Sequence, residues 1–475
     1  MKLKAGLAMF SVADFDLADT SVPEDAENNM TYLCREDARG AIAELEKHFE
    51  LIHKDLINTI DDARQACREY KDADVDLIIP LYLTYQGDDT MVEICRQMKD
   101  KPFLCWSICP FKKVDGIKSI YRFYAHTGAP GLLQAATTFK RMNINVDVVL
   151  GTPGDPAVTE KFHERAVVLE TRKALKSLKM VQVGRRFGSM VGAWFDEARL
   201  KMDIGPSVDY VTTRELEEVF NSIPDEEVDE FVKDQLSKYR NEGGVSEEAL
   251  KKAARASIAI YKIANAGGYG AVAIQDQDSE MHERLGCRPQ MTYQKLWDEG
   301  IAIGMEGDID STLSTWILMN LCEGPALYGE VITYSEEDNN LIIGHASLND
   351  LRLAGDNEIT LVKDLECMDD DKYEGCWHQF MCKPGEVTLC SFFEDVDGYQ
   401  VIVCSGESLP GDLAVPGYGH AKVRIGMTVE EFMTDAVKLG TTQHFTYCNG
   451  NMKSRIKMLA DMLGFKYYDL DEMHK

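Results

Sequence analysis

Along the first 150 residues the apolar positions switch repeatedly between a strand pattern and a helix pattern. LKAGLAMFSV, residues 3–12, is an unbroken apolar run that predicts a buried strand. ARGAIAELEKHFELIHKDL follows with apolar residues at helical spacing, and TIDDARQACREYKDA predicts a second helix, with Thr59 as its cap and acids in its first turn. VDLIIPLYLTY, PFLCWSICP and VDVVLG read as further buried strands, with MVEICRQMKD and GLLQAATTFKRM as the helices between them. Strand and helix in this alternation predict a doubly wound α/β domain over residues 1–176. Its ligands would lie at the carboxyl ends of the strands, at Tyr82–Gly87, at Ser107–Pro110 and in the loop carrying His126.

A long helix, DPAVTEKFHERAVVLETRKALKSL, leads to a new strand, KMVQVGRRF, which opens a second α/β domain over 177–323. Gly267, Gly268 and Gly270 precede a strand there rather than follow one, which disfavours a dinucleotide fingerprint. From 324 to 475 short strands separated by turns dominate, and Asp395-Val396-Asp397-Gly398 is a hairpin signal. The fold class expected is therefore two Rossmann-like α/β domains followed by a β-rich, barrel-like domain closed by two helices. His420 in VPGYGHAK reads as an exposed loop residue. Asp369–Asp371 and Glu336-Glu337-Asp338 read as solvated turns, and Met305 and Trp316 as core.

Charge narrows the partners. A net charge of −29 argues against a nucleic-acid backbone or an anionic membrane. No apolar run is long enough to span a membrane, and Asp14 and Asp16 follow the N-terminal apolar residues too closely for a signal peptide. Thirteen cysteines with no Cys-x-x-Cys pair suit core thiols in a reducing cytoplasm.

The chemistry concentrates between Ile301 and Ser347. Glu306 in GMEGD, Glu330 ahead of Val-Ile-Thr-Tyr and His345 after Leu-Ile-Ile-Gly each sit where an apolar segment begins or ends. A carboxylate at the end of a buried strand is costly to desolvate unless something pairs with it. Two carboxylates and an imidazole converging on one point would suit a divalent metal ion.

Glu306, Glu330, His345 and, further on, His444 in TTQHFTY resemble in order and spacing the metal-binding pattern of the L-arabinose isomerases. The resemblance extends from about residue 120 to the end, through QVGRRFGSMVGAWFDEARLKMDIGPSVDYVTTREL, WDEGIAIGMEGDIDSTLSTWILMNL and EVTLCSFFEDVDGYQVIVCSGE. It implies an aldose–ketose isomerase whose two glutamates and two histidines hold a manganese-like ion. It further implies a trimer or hexamer in which His126, in AHTGAPG, contacts the sugar held by a neighbouring subunit.

Some positions depart from the family. Glu330 is followed by Val331-Ile332 rather than an acidic-aromatic run, and Ser11-Val12 stand where the family has a glutamine-containing sugar contact. Gln275-Asp276-Gln277-Asp278 replace an aromatic pocket position, so Asp276 is expected to bind substrate and L-arabinose to be a poor one.

The residue types suit the implied reaction. Moving a carbonyl from C1 to C2 takes a proton from one carbon and returns it to its neighbour, which a carboxylate base and a carboxylate acid, Glu306 and Glu330, can do through a cis-enediol. Carboxylate and imidazole ligands with open positions for two sugar oxygens suit Mn²⁺ better than Zn²⁺. A metal-assisted epimerase or lyase on another sugar derivative would use the same residues, and a non-catalytic sugar binder would need only the pocket.

Overall fold

The computed structural model describes residues 2–11, 30–109, 113, 119–242, 244–346, 348–364 and 373–475. Val12 and the acidic run 369–371 lie outside them. The chain forms two compact units, Met1–Glu170 and Thr171–Lys475.

The first unit is built on a parallel sheet in the order Phe49–Ile52, Leu3–Phe10, Leu77–Tyr82, Phe103–Ile108, Val146–Gly151, with Leu56–Ile57 also paired to Leu3–Phe10. Its central strands are buried along their whole length, as their unbroken apolar runs require. Helix Ile60–Asp72 starts at the expected cap, with Thr59 and Asp62 forming a reciprocal capping box. One expectation fails. The helix over ARGAIAELEKHFELIHKDL stops at Leu45, and Phe49–Ile52 is a strand paired in parallel with Leu3–Gly6. Phe49 and Leu51 point into the core while Glu50 faces solvent, a period of two concealed in a segment too short to tell from a helix by pattern.

The second unit contains two sheets. A four-stranded parallel sheet runs in the order Ala302–Gly304, Ala271–Ile274, Lys179–Val183, Ser207–Val211. The β-rich part closes on itself. Ala326–Ser335, Asn340–His345, Gly419–Ile425, Gly398–Ser408, Gly385–Asp395 and His444–Asn449 pair in a ring, each antiparallel to the next. The hairpin at Asp395–Gly398 forms as expected, with those two residues paired and Gly398 at φ 127. Glu336, Glu337 and Asp338 are exposed, and Met305 and Trp316 are buried.

Helix Ile309–Cys322 joins the two sheets. It is buried around nearly its whole circumference and packs against both the parallel strands and the barrel strands. Its approach to Ala302–Gly304 is so close that a Cβ on Gly304 would lie 1.9 Å from Thr312 Oγ1. Only glycine fits there, and that contact sets where the residues after Gly304 emerge.

His378, on strand Cys376–Met381, gives this unit a pH dependence. It is buried, accepts from the Thr292 N–H (3.3 Å) and donates Nε2–H to Gln235 Oε1 (2.9 Å). Burial holds its pKa down at about 3. The unfolded chain takes up this proton near pH 6.5 while the folded chain refuses it. Stability is therefore full above about pH 6.5 and falls by about 1.4 kcal/mol per unit as pH drops toward 3. Urea midpoints measured from pH 7 to pH 4.5 should show this slope, and it should flatten in His378→Gln.

Candidate metal centre

Three side chains converge at the N-terminal end of helix Ile309–Cys322. Donor atoms of Glu306, His345 and His444 all lie within 4.8 Å of one another, and all three residues are buried. They come from three elements: the turn after strand Ala302–Gly304, the last residue of Asn340–His345 and the first residue of His444–Asn449.

Glu306 owes its position to its backbone. It has φ 60, in the left-handed region that costs a non-glycine residue about 1–3 kcal/mol. The conformation is pinned from both sides. The Glu306 N–H donates to Asp276 Oδ1 (3.0 Å), and the Gly307 N–H donates to the Ile274 carbonyl (3.0 Å).

Both imidazoles are oriented through Nδ1. His444 Nδ1 lies 2.7 Å from Asp308 Oδ2 and 3.0 Å from the Tyr328 hydroxyl, which itself donates to the Met305 carbonyl (3.1 Å). His345 Nδ1 donates to the Ala346 carbonyl (3.2 Å). With each Nδ1 proton so placed, Nε2 is the nitrogen that each ring would offer a ligand, as metal-binding histidines do. His444 Nε2 lies 3.2 Å from Glu306 Oε2, and Gln443 Nε2 donates to the same oxygen (3.1 Å). Burial pulls the His444 pKa down, but hydrogen bonds and charge from Asp308 and Glu306 outweigh it and carry it up to about 9. The ring is then a cation at neutral pH, and a metal ion would take the place of that proton. Two imidazoles and a carboxylate, each buried and with its other polar atoms satisfied, fit a borderline divalent cation.

Asp308 had escaped the sequence reading. It caps helix Ile309–Cys322, accepting from the Ser311 N–H (2.9 Å) and hydroxyl (2.7 Å), while its Oδ2 orients His444. The Asp-x-x-Ser spacing signalled the cap, but nothing local pointed to a histidine 136 residues away. Such outer partners typically contribute 10–100-fold to metal affinity. Asp308→Ala should therefore lower the affinity for Mn²⁺, measured by calorimetry on metal-free protein, by about that factor.

The other singled-out residues divide. Glu330 lies directly opposite His444 in the antiparallel ladder, so the two share a face, but its half-buried carboxylate is outside the three-residue cluster. Asp276, expected to face substrate, is 0% exposed. Its Oδ2 accepts from Arg288 Nη2 (2.6 Å) and Gln290 Nε2 (2.9 Å), and its Oδ1 holds Glu306. It sits behind Glu306, closed off from solvent. His420 is not an exposed loop residue. It is buried on Gly419–Ile425, where Nε2 accepts from the Ala414 N–H (3.0 Å) and Nδ1 donates to the Tyr418 carbonyl (2.9 Å).

His126 belongs to the first unit, between helices Ile120–Tyr124 and Gly128–Arg141. Burial, then the Arg122 charge, hold its pKa down at about 4, so its ring is neutral at physiological pH. Asp37 Oδ2 is 4.0 Å away, its carboxyl pushed up to about 6 by burial.

Comparison with known proteins finds sugar isomerases among those similar to this chain. Residues 180–324 match a family model described as the L-arabinose isomerase central domain. A sulfoquinovose isomerase of Priestia aryabhattai is 22% identical over 417 residues, 86% of this chain and 89% of that protein. Another, of Alkalicoccus urumqiensis, is 26% identical over 68% of this chain and 72% of its own length. An L-arabinose isomerase of Tolumonas auensis is 26% identical over 43% of this chain and 42% of its own. The chain is thus similar, at low identity, to arabinose isomerase-like proteins. No helix among the described residues is long and apolar enough to cross a membrane, and no disulfide joins the described cysteines to one another.

Proposed function

We propose that this chain is a metal-dependent aldose–ketose isomerase acting through a cis-enediol. The observation that carries the reading is the convergence of Glu306, His345 and His444 at one buried point, in a chain whose relatives are named as sugar isomerases. Those three residues would hold the ion, and Mn²⁺ suits their mixed carboxylate and imidazole donors. When bound, the ion supplies polarisation of the sugar carbonyl and an anchor for two adjacent oxygens. Glu330 faces the same side as His444 with its carboxylate partly open to solvent, which suits it to carry the proton between C1 and C2. Glu306, held rigidly by Asp276, completes the acid–base pair on the other side.

Sulfoquinovose is the first sugar to offer, because the relatives that cover most of this chain carry its name. Protein stripped with chelator and resupplied with Mn²⁺ should convert sulfoquinovose to a ketose and turn over L-arabinose about 100-fold less efficiently or worse. Solvent deuterium should appear at C2 of recovered aldose. An epimer or a cleaved product in place of the ketose would favour an epimerase or a lyase, and efficient L-arabinose turnover would overturn the substrate choice.

A cytoplasmic homo-oligomer, trimeric or hexameric, in which His126 serves the site of a neighbouring copy, completes the reading. Mixing inactive His126→Ala and Glu306→Ala subunits should then restore part of the activity. No recovery after confirmed subunit exchange would exclude the shared site.

A further inference from the structure

We propose that Arg185 and Arg186 form a receptor for a tetrahedral oxyanion, a sulfonate or phosphate ester, carried by the substrate at the end remote from its carbonyl. This rests on the isomerase reading.

The parallel sheet brings the arginines to the same edge as the metal ligand. Val183 pairs with Ile274, and Ala273 pairs with Gly304, so the three strands end level. Gly184-Arg185, Gln275-Asp276 and Met305-Glu306 therefore leave the sheet side by side. The first and last are two strand spacings apart, about 10 Å. A six-carbon sugar anchored by O1 and O2 at the metal centre, together with the reach of a guanidinium, bridges that distance. The rows touch one another: a Cβ on Gly184 would lie 3.2 Å from Gln275 Cβ, and one on Gly307 would lie 3.1 Å from Gln182 Nε2.

The arginines are held as a site would hold them. Arg185 is tethered by one ion pair, Nη2 to Asp278 Oδ1 at 3.0 Å. Asp278 is itself buried, while 72% of the arginine side chain stays open. The Arg186 guanidinium carbon lies 3.8 Å from the centroid of the Trp194 ring. That ring is fixed by the loop's own backbone, because Trp194 Nε1 donates to the Phe187 carbonyl (3.1 Å). Stacking sets the plane of Arg186 without using its N–H groups. Among the described residues no carboxylate pairs with Arg186. In a chain of net charge −29, this guanidinium is held by a ring and not by an acid. The overall field of such a chain repels anions, so an anionic substrate needs a local cationic pair to bind. Planar guanidinium forks match two oxygens of a tetrahedral anion at once.

The test uses full-length, Mn²⁺-loaded protein with three sugars: sulfoquinovose, D-glucose 6-phosphate and D-glucose. The wild type should prefer one anionic sugar over D-glucose by at least about 100-fold in kcat/KM, and which anion is preferred identifies the substituent. In Arg186→Ala this preference should collapse by about 100-fold, with Arg186→Lys intermediate and Arg185→Ala lowering it as well. Melting temperature and bound Mn²⁺ should match the wild type. Methanesulfonate, titrated by calorimetry, should bind the wild type and not Arg186→Ala, a readout independent of turnover. Turnover of neutral sugars with no anion preference would overturn this inference and leave the isomerase reading standing. Arginine-dependent methanesulfonate binding without turnover of any sugar would do the reverse.

Discussion

His444→Ala protein, purified without chelator, should carry no stoichiometric divalent ion and have no measurable isomerase activity. The loss exceeds that of one donor atom. His444 is the partner on which two buried carboxylates close, Asp308 at 2.7 Å and Glu306 at 3.2 Å. Removing the ring leaves both acids at a desolvated point with no ion or imidazole between them, and such uncompensated charge is costly. Glu306 is also held in a left-handed conformation, so it cannot swing far enough to make up the missing coordination. Metal affinity should fall by more than the 10–100-fold expected for an outer partner such as Asp308. Metal analysis of the purified variant, with circular dichroism to confirm folding, decides the matter. Full occupancy in folded His444→Ala would sink the metal site as drawn, and His345→Ala offers an independent check.

The first part of this site was legible because each ligand interrupts an apolar run. Glu306, His345 and His444 stand out against buried strands, and the resemblance supplied their order. Glu330 stood out for the same reason, yet its carboxylate lies outside the cluster. A one-dimensional pattern reports that a polar residue ends a strand, not how far its side chain reaches. The partners of Asp308 and Asp276 were hidden for the opposite reason. Each aspartate looks like turn chemistry, an N-cap and a loop acid, and each meets its partner only through the tertiary fold, 136 and 30 residues away. His420 was misjudged because VPGYGHAK has the composition of a loop, whereas pairing of Gly344 with His420 draws it into the barrel wall. Phe49–Ile52 shows the same limit for elements, since four residues can be read with either period until a neighbouring strand selects one. The alternating layers, the barrel and its hairpin needed no such information, because periodicity and turn residues specify them locally.

Asp276→Ala should be the most destabilising single change near the site. Asp276 and Arg288 are 0% and 1% exposed, and their ion pair is 2.6 Å long. The second described acid beside the Arg288 guanidinium, Asp364, lies further off, at 3.8 Å. Breaking a buried pair by removing one partner costs about 3–5 kcal/mol, which for a unit of this size lowers the melting temperature by roughly 10 °C. The same change frees the Glu306 N–H, so the strained backbone that aims the metal ligand loses its clamp. Asp276→Asn separates the two effects. Its amide oxygen still accepts from Glu306, so metal affinity should stay near that of the wild type, while the ion pair with Arg288 stays broken and stability falls almost as far as in the alanine variant. Adding Arg288→Met to Asp276→Asn removes the buried guanidinium that has lost its 2.6 Å partner and should recover part of the lost stability. Differential scanning calorimetry and Mn²⁺ titration of the three variants read both quantities. A melting temperature in Asp276→Ala equal to the wild type's would show that the ion pair carries no weight. Equal metal affinity in the alanine and asparagine variants would show that the Glu306 backbone does not need Asp276 to hold it.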